Sequence, residues 1–279
     1  MDQRGQAHAG ALPLRPLTVA ELLDAALALL RTRARPLLAV GIGLALAEQA
    51  LIYPLRTRAH GYFPNGENTG PWWLMIAVGF ATEAVAIAVL GAQAAGAVLP
   101  ALLGRPVPRP RRSRAAIAGS VAGVAIAAGL TCGLAAYAFL LPWFVVYASL
   151  GLAAPAVVVD RLGSGQAVVR SIRLVWRSGL RPGAIRVLGY LGWLLFRLAL
   201  SLGGITALNA IPRVELGSWT VLAAAACWAV VNAIAYPVLG CLDAVLHLEA
   251  RMRVEGLDIA LGRALRRGEP LEPALAVPR

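Results

Sequence analysis

The sequence predicts an all-α polytopic membrane protein: a six-transmembrane-helix bundle with cytoplasmic amphipathic helices and a parallel internal repeat. Three observations predict it. The 279 residues are 59% hydrophobic and 14% charged, with a mean hydropathy of +0.70, whereas a soluble domain carries about 25% charged residues. Six apolar runs approach or exceed the length a helix needs to cross a bilayer core, about 20 residues. All 26 basic residues are arginine, and they cluster between these runs.

Taken in order, residues 1–16 read as a disordered cytoplasmic N-terminus. They lack the compact basic region, apolar core and cleavage site of a secretory signal. Residues 17–262 form the integral membrane domain. It opens with a helix over about 18–33, whose Thr18 and Glu21 make a capping box. Leu22, Leu23, Ala26, Leu27 and Leu30 form its apolar stripe. Span one follows at about 37–54 and span two at about 72–100, beginning at Trp72-Trp73. Span three covers about 115–140 and is rich in Ala and Gly. Span four, about 143–159, is short and divided by Pro155. A second amphipathic helix covers about 165–178, with Val168, Val169, Ile172, Val175 and Trp176 opposite Arg170, Arg173 and Arg177. Spans five and six lie at about 184–207 and 218–246. Pro155 and Pro237 are expected to kink or end their helices. Residues 263–279 are a cytoplasmic tail, the last part disordered, and Gly256 marks a helix break before it.

Arginine counting sets the orientation. Five arginines fall in 4–35, five in 105–114, six in 161–186 and six in 251–279. The opposite side has Arg56, Arg58 and Arg213, and Arg197 lies within a span. A split of 22 to 3 places both termini in the cytoplasm. Tyr53, Trp72, Trp73, Trp143 and Trp219 fall at the outer ends, where aromatic rings favour the interface. The two amphipathic helices either lie on the bilayer or pack on the bundle. Their segments align without a gap: ELLDAALALLRTRARP (21–36) lies over AVVRSIRLVWRSGLRP (167–182). Each leads into two spans, which indicates a parallel duplication.

The net charge of +12 does not indicate nucleic acid, because the arginines flank apolar spans. There they can meet anionic lipid headgroups. Arg31, Arg35, Arg170, Arg173, Arg177 and Arg181 form that lipid-headgroup or partner face. Cys132, Cys227 and Cys241 show no metal spacing and read as packing residues. His8, His60 and His247 form no metal cluster; His247 reads as interfacial. Ser164 in Gly163-Ser164-Gly165 reads as a helix N-cap. No cofactor, metal site or catalytic residue is expected.

Charges inside spans are expensive, roughly 2.5–3.5 kcal/mol each at mid-bilayer. Glu48, Glu83 and Arg197 are such charges, with Gln49, Gln93, Asn209, Asn232 and Asp243 adding polarity. Depth makes Arg197–Glu83 the best pair, with Glu48 as second partner. The group is either a polar pathway for a solute or proton, or an ion pair that fixes helix packing. Gly119-x-x-x-Gly123 and Gly129-x-x-x-Gly133 are either close-approach motifs or a product of composition.

The strings LRPLTVAELLDAALALLRTRARPLLAV, APAVVVDRLGSGQAVVRSIRLVWRSG and YPVLGCLDAVLHLEARMRVEGLDI carry a resemblance over about residues 13–262. The chain resembles uncharacterised actinobacterial integral membrane proteins similar to the membrane domain of glycerophosphoryl diester phosphodiesterases. In those enzymes hydrolysis belongs to a separate α/β barrel, which takes about 200 or more further residues. The resemblance therefore implies the membrane part alone and carries over no catalytic residue.

The sequence thus favours a non-enzymatic scaffold or accessory subunit of a bacterial plasma membrane. It would dock anionic lipids, or a membrane or cytoplasmic protein, through its basic face. The alternative is a small transporter or channel using Glu48, Glu83 and Arg197. A continuous wet cavity reaching Glu83 and Arg197 would discriminate between them.

Overall fold

The computed structural model describes residues 15, 17–59, 66, 68–103, 113–210, 219–269, 271 and 275. The expected disordered start, His8, His60, Arg4, Arg105, Arg109, Arg111, Arg112, Arg213, Arg279 and the side chain of Asn209 lie outside the described residues. Among the described residues there are ten helices and no strand.

Helix α1 (Val19–Thr32) starts as the capping box requires: Glu21 N–H donates to Thr18 Oγ1 at 3.3 Å and Thr18 N–H to Glu21 Oε2 at 2.8 Å. Helices α2 (Ala34–Ala59) and α3 (Thr69–Leu103) form the first antiparallel pair, and α4 (Arg114–Tyr137) packs along α3. The fourth crossing is built from α5 (Leu141–Leu150) and α6 (Ala153–Val159). The arginine-rich helix α7 (Ser164–Arg177) then leads into α8 (Arg181–Asn209), α9 (Thr220–Glu255) and α10 (Leu257–Arg267). Six segments are long and apolar enough to cross a membrane: α2, α3, α4, α5 with α6, α8 and α9. Both the first and the second half therefore read surface helix, span, span, in the order the alignment of 21–36 with 167–182 requires.

Helix α9 is the axis of the bundle. It packs against α1, α2, α3, α8 and α10, and every residue from Ala235 to Met252 is buried. Its 36 residues span about 54 Å at 1.5 Å per residue, far more than the bilayer core of about 30 Å. The excess lies at the arginine-rich end, where α1, α7 and α10 sheathe it. Helices approach closely where glycine allows. A Cβ on Gly240 would lie 2.8 Å from the Gly91 nitrogen, and one on Gly41 2.7 Å from Pro237 Cγ. On α4, Gly129 and Gly133 face Ala81 and Ala77 of α3, and Gly123 faces Ser164. Gly119 meets nothing within 4 Å, so the first of the two expected motifs is half used.

Several sequence expectations need correction. Pro155 does not divide the fourth crossing: the break is at Gly151-Leu152, and Pro155 sits in the first turn of α6, where no intrahelical donor is lost. Ser171 of α7 mends the break, donating to Ser149 O at 2.6 Å and accepting from Leu152 N–H at 3.1 Å. Nor does Pro237 end its helix, since α9 runs through it. Ser164 is the first residue of α7 and not its cap; Gly163 is the cap residue, and its N–H donates to Gln166 Oε1 at 3.3 Å.

Trp143 is not an interfacial anchor. It is buried in an aromatic stack with Phe80, Tyr147 and Tyr190. The apolar stripe of α1 is rotated: Leu22, Ala25, Ala26 and Leu29 are buried, while Leu23 and Leu27 are each 40% exposed. The tail is not free throughout, because α10 runs through residue 262 and buries Leu261 and Ala264, and Leu271 and Leu275 are buried beyond it.

Candidate functional site

Among the described residues, two polar assemblies and a cavity interrupt the apolar interior. The first assembly is built from α2, α3, α8 and α9. Asn232 and Tyr236 are four residues apart on α9 and so share a face; Tyr190 and Arg197, seven apart, share a face of α8. Arg197 pairs with Glu83 through both terminal nitrogens, the longer contact being 3.4 Å. Its Nη1 also donates to Asn232 Oδ1 at 3.0 Å. Tyr190 donates its hydroxyl to Glu83. Asn232 Nδ2 donates to Glu48 Oε2 at 2.9 Å, and Tyr236 donates to the same oxygen. Arg197 is only 2% exposed, and its guanidinium also faces the rings of Trp228 and Tyr190, 5.0 and 5.3 Å away.

The expected Arg197–Glu83 pair therefore forms. Glu48 is not a direct partner of Arg197, as Asn232 stands between them. The donors to Glu48 are neutral: the Asn232 amide, the Tyr236 hydroxyl and, at 3.4 Å, the Thr82 hydroxyl.

A cavity of about 430 Å³ reaches these acids. Its lining runs from Arg56, Trp72 and Thr220, at the arginine-poor ends of α2, α3 and α9, down to Glu48, Glu83 and Tyr190. The walls are mostly apolar and aromatic, with Phe80, Trp73 and Trp228 among them. Its volume lies within the usual range for small-molecule sites, about 300–1,000 Å³. Arg197 touches Glu83 from behind and is not part of the lining. Gln49, also on the wall, accepts from Arg56 at 3.0 Å, but its buried Nε2 has no hydrogen-bond partner among the described residues.

The second assembly lies at the arginine-rich end, and sequence reading missed it. Asp160 accepts from Arg251 Nη1 at 2.8 Å, Arg170 Nε at 3.0 Å and His247 Nε2 at 3.2 Å. Glu255 accepts from Arg170 at 2.7 Å and Arg251 at 3.0 Å. Burial alone would raise the Asp160 carboxyl, but the His247 ring and the Arg251 and Arg170 guanidiniums outweigh it and hold it well below the usual carboxylate range. Glu249 similarly gathers Arg181 and Arg253. Arg181 Nη2 donates to Leu17 O at 2.8 Å, and Arg251 Nη2 to Leu275 O at 3.1 Å. Deeper in, Arg186 Nε donates to Asp243 Oδ1 at 2.7 Å while its guanidinium lies 3.5 Å from the centre of the Tyr147 ring.

These contacts correct four assignments. Arg170 and Arg181 are engaged by carboxylates, whereas Arg31, Arg35, Arg173 and Arg177 are exposed. His247 is fully buried and not interfacial. Arg186, counted with the arginines of the basic side, is buried and paired with Asp243. No three His, Cys, Asp or Glu among the described residues could hold a metal ion.

The chain matches no family model, no curated protein and no solved structure. The site and the fold are those of a multi-pass α-helical membrane protein with six candidate spans.

Proposed function

We propose that this chain is a small transport or solute-binding protein of a bacterial plasma membrane, with both termini in the cytoplasm and the cavity mouth facing outward. The single observation that carries this reading is the cavity, which descends from the arginine-poor end to Glu48 and Glu83; of the Glu83–Arg197 pair it reaches the acid and not the arginine. The 22-to-3 distribution of arginines supports the orientation. Glu83 is matched by Arg197, but Glu48 has neutral donors alone, so Glu48 is the acid a solute would meet. Aromatic walls above a carboxylate favour a cationic group on an apolar body. The reading is non-enzymatic. The resemblance to a membrane domain, in whose enzymes hydrolysis belongs to a separate barrel, is consistent with it.

The test is cysteine accessibility. A side chain at Gly79 has room, its Cβ meeting only Ile52 Cδ1 at 3.7 Å, and Gly79 lines the cavity. In intact cells, Gly79→Cys should react with a membrane-impermeant maleimide above the level of the parent chain, and Ile126→Cys on the lipid-facing side of α4 should not. Tetraphenylphosphonium should protect Gly79→Cys, and adding Glu48→Gln should remove the protection. If Gly79→Cys does not label, the outward cavity is refuted. If it labels but protection survives Glu48→Gln, the role of Glu48 is refuted.

A second reading, a scaffold or accessory subunit, is favoured by the exposed Arg31, Arg33, Arg35, Arg173 and Arg177 at one end. A stoichiometric protein partner co-purified in mild detergent, and lost on neutralising these arginines, would support it.

A further inference from the structure

Helix α7 has three faces where an ordinary surface helix has two. Ala167, Ser171, Leu174 and Val175 are buried against the protein. Val169, Ile172 and Trp176 are apolar yet exposed, Trp176 by 55%. Gln166, Arg170, Arg173 and Arg177 form the third face. A groove of about 770 Å³ runs along this third face, between α7 and the end of α9, and Val169 joins it to the apolar stripe.

The arginines in the groove are not equivalent. Arg170 is held by Asp160 and Glu255. Arg173 and Arg177, one turn apart, are exposed and have no carboxylate partner among the described residues. Gln166 adds a polar side chain on the same face. The groove therefore presents two uncompensated cations beside an apolar strip, at the end of the spans where lipid headgroups lie.

We propose that this groove binds the phosphate of one anionic phospholipid, with Arg173 and Arg177 as its ligands and the acyl chains running along Val169, Ile172 and Trp176. Charge complementarity selects an anion, since the remaining acid, Glu255, is neutralised by Arg170 and Arg251. The exposed apolar stripe selects a lipid over a soluble phosphate. The site is independent of the cavity at the opposite end of the bundle.

The experiment is native mass spectrometry of the full chain in mild detergent, titrated with phosphatidylglycerol or with phosphatidylcholine of the same chains. The protein should retain one phosphatidylglycerol in preference to phosphatidylcholine. The double variant Arg173→Gln/Arg177→Gln should weaken that binding about thirtyfold, corresponding to ~1 kcal/mol for each arginine near a charged surface. Arg31→Gln/Arg35→Gln removes the same charge from the end of α1 and the start of α2 and should leave it within about twofold, because those arginines do not line the groove. Equal losses in the two double variants would mean diffuse attraction and overturn the site. So would retention of phosphatidylglycerol by Arg173→Gln/Arg177→Gln, or displacement of the lipid by millimolar inorganic phosphate at constant ionic strength. Both variants change exposed side chains, so their thermal midpoints should match the parent's and separate lost binding from lost folding.

Discussion

Arg197→Leu should be among the most damaging single substitutions in this chain, and Glu83→Leu should partly repair it. Arg197 is 2% exposed and Glu83 5% exposed. Removing the arginine leaves Glu83 with the Tyr190 hydroxyl as its one remaining donor among the described residues and takes away the donor to Asn232 Oδ1. Breaking a buried pair from one side costs about 3–5 kcal/mol. A chain of about this size loses roughly 2–4 °C per kcal/mol, so the midpoint should fall by roughly 6–20 °C. In Arg197→Leu with Glu83→Leu no charge is stranded. The remaining loss is the hydrogen bonds to Tyr190 and Asn232, about 1 kcal/mol each. The double variant should therefore be more stable than Arg197→Leu alone, with a coupling of at least about 2 kcal/mol. The assay is thermal unfolding of the parent, both single variants and the double variant in one detergent. If the two single losses simply add, the pair does not hold the helices together and the reasoning fails.

Two further outcomes follow from packing and charge. A Cβ on Gly151 would collide with Arg186 Nε, whose side chain is fixed by Asp243 and Tyr147; Gly151→Ala should lower stability by roughly 1–3 kcal/mol, and an unchanged melting midpoint would show that Arg186 can move aside. Because Asp160 titrates lower in the folded chain than the ordinary value of about 4, its stabilisation is complete above that value and is lost as the pH falls towards the folded one. Asp160→Asn should therefore be less stable near neutrality and lose less on acidification, and melting curves that stay parallel to the parent's down to about pH 3 would contradict this.

The spans were legible in the sequence because a bilayer demands long apolar runs and little else has them. The Arg197–Glu83 pair was legible for a related reason: an intramembrane charge needs a partner at its own depth. Tyr190 and Tyr236 were not, since a tyrosine in an apolar run gives no sign of whether its hydroxyl reaches an acid. Arginine counting reads position along the chain and is blind to burial, so it placed Arg186, Arg170 and Arg181 on the surface. The excess length of α9 explains the error. Its last turns leave the apolar zone but remain inside protein, so His247, Glu249 and Arg251 look interfacial in sequence and are buried in space. The rotated stripe of α1 has the same origin. Periodicity found the amphipathic helix but could not tell which apolar residues face α9 and which face outward.

The moorings of Leu17 and Leu275 bear on how the buried end of α9 is held. The carbonyl of Leu17 and that of Leu275 both accept hydrogen bonds from arginines within or beside the last turns of α9. Residues remote in sequence, one before α1 and one after α10, are thus tied to the same helix end. Releasing either tie would take an acceptor away from guanidinium donors, so the two ties should loosen together when the basic end opens.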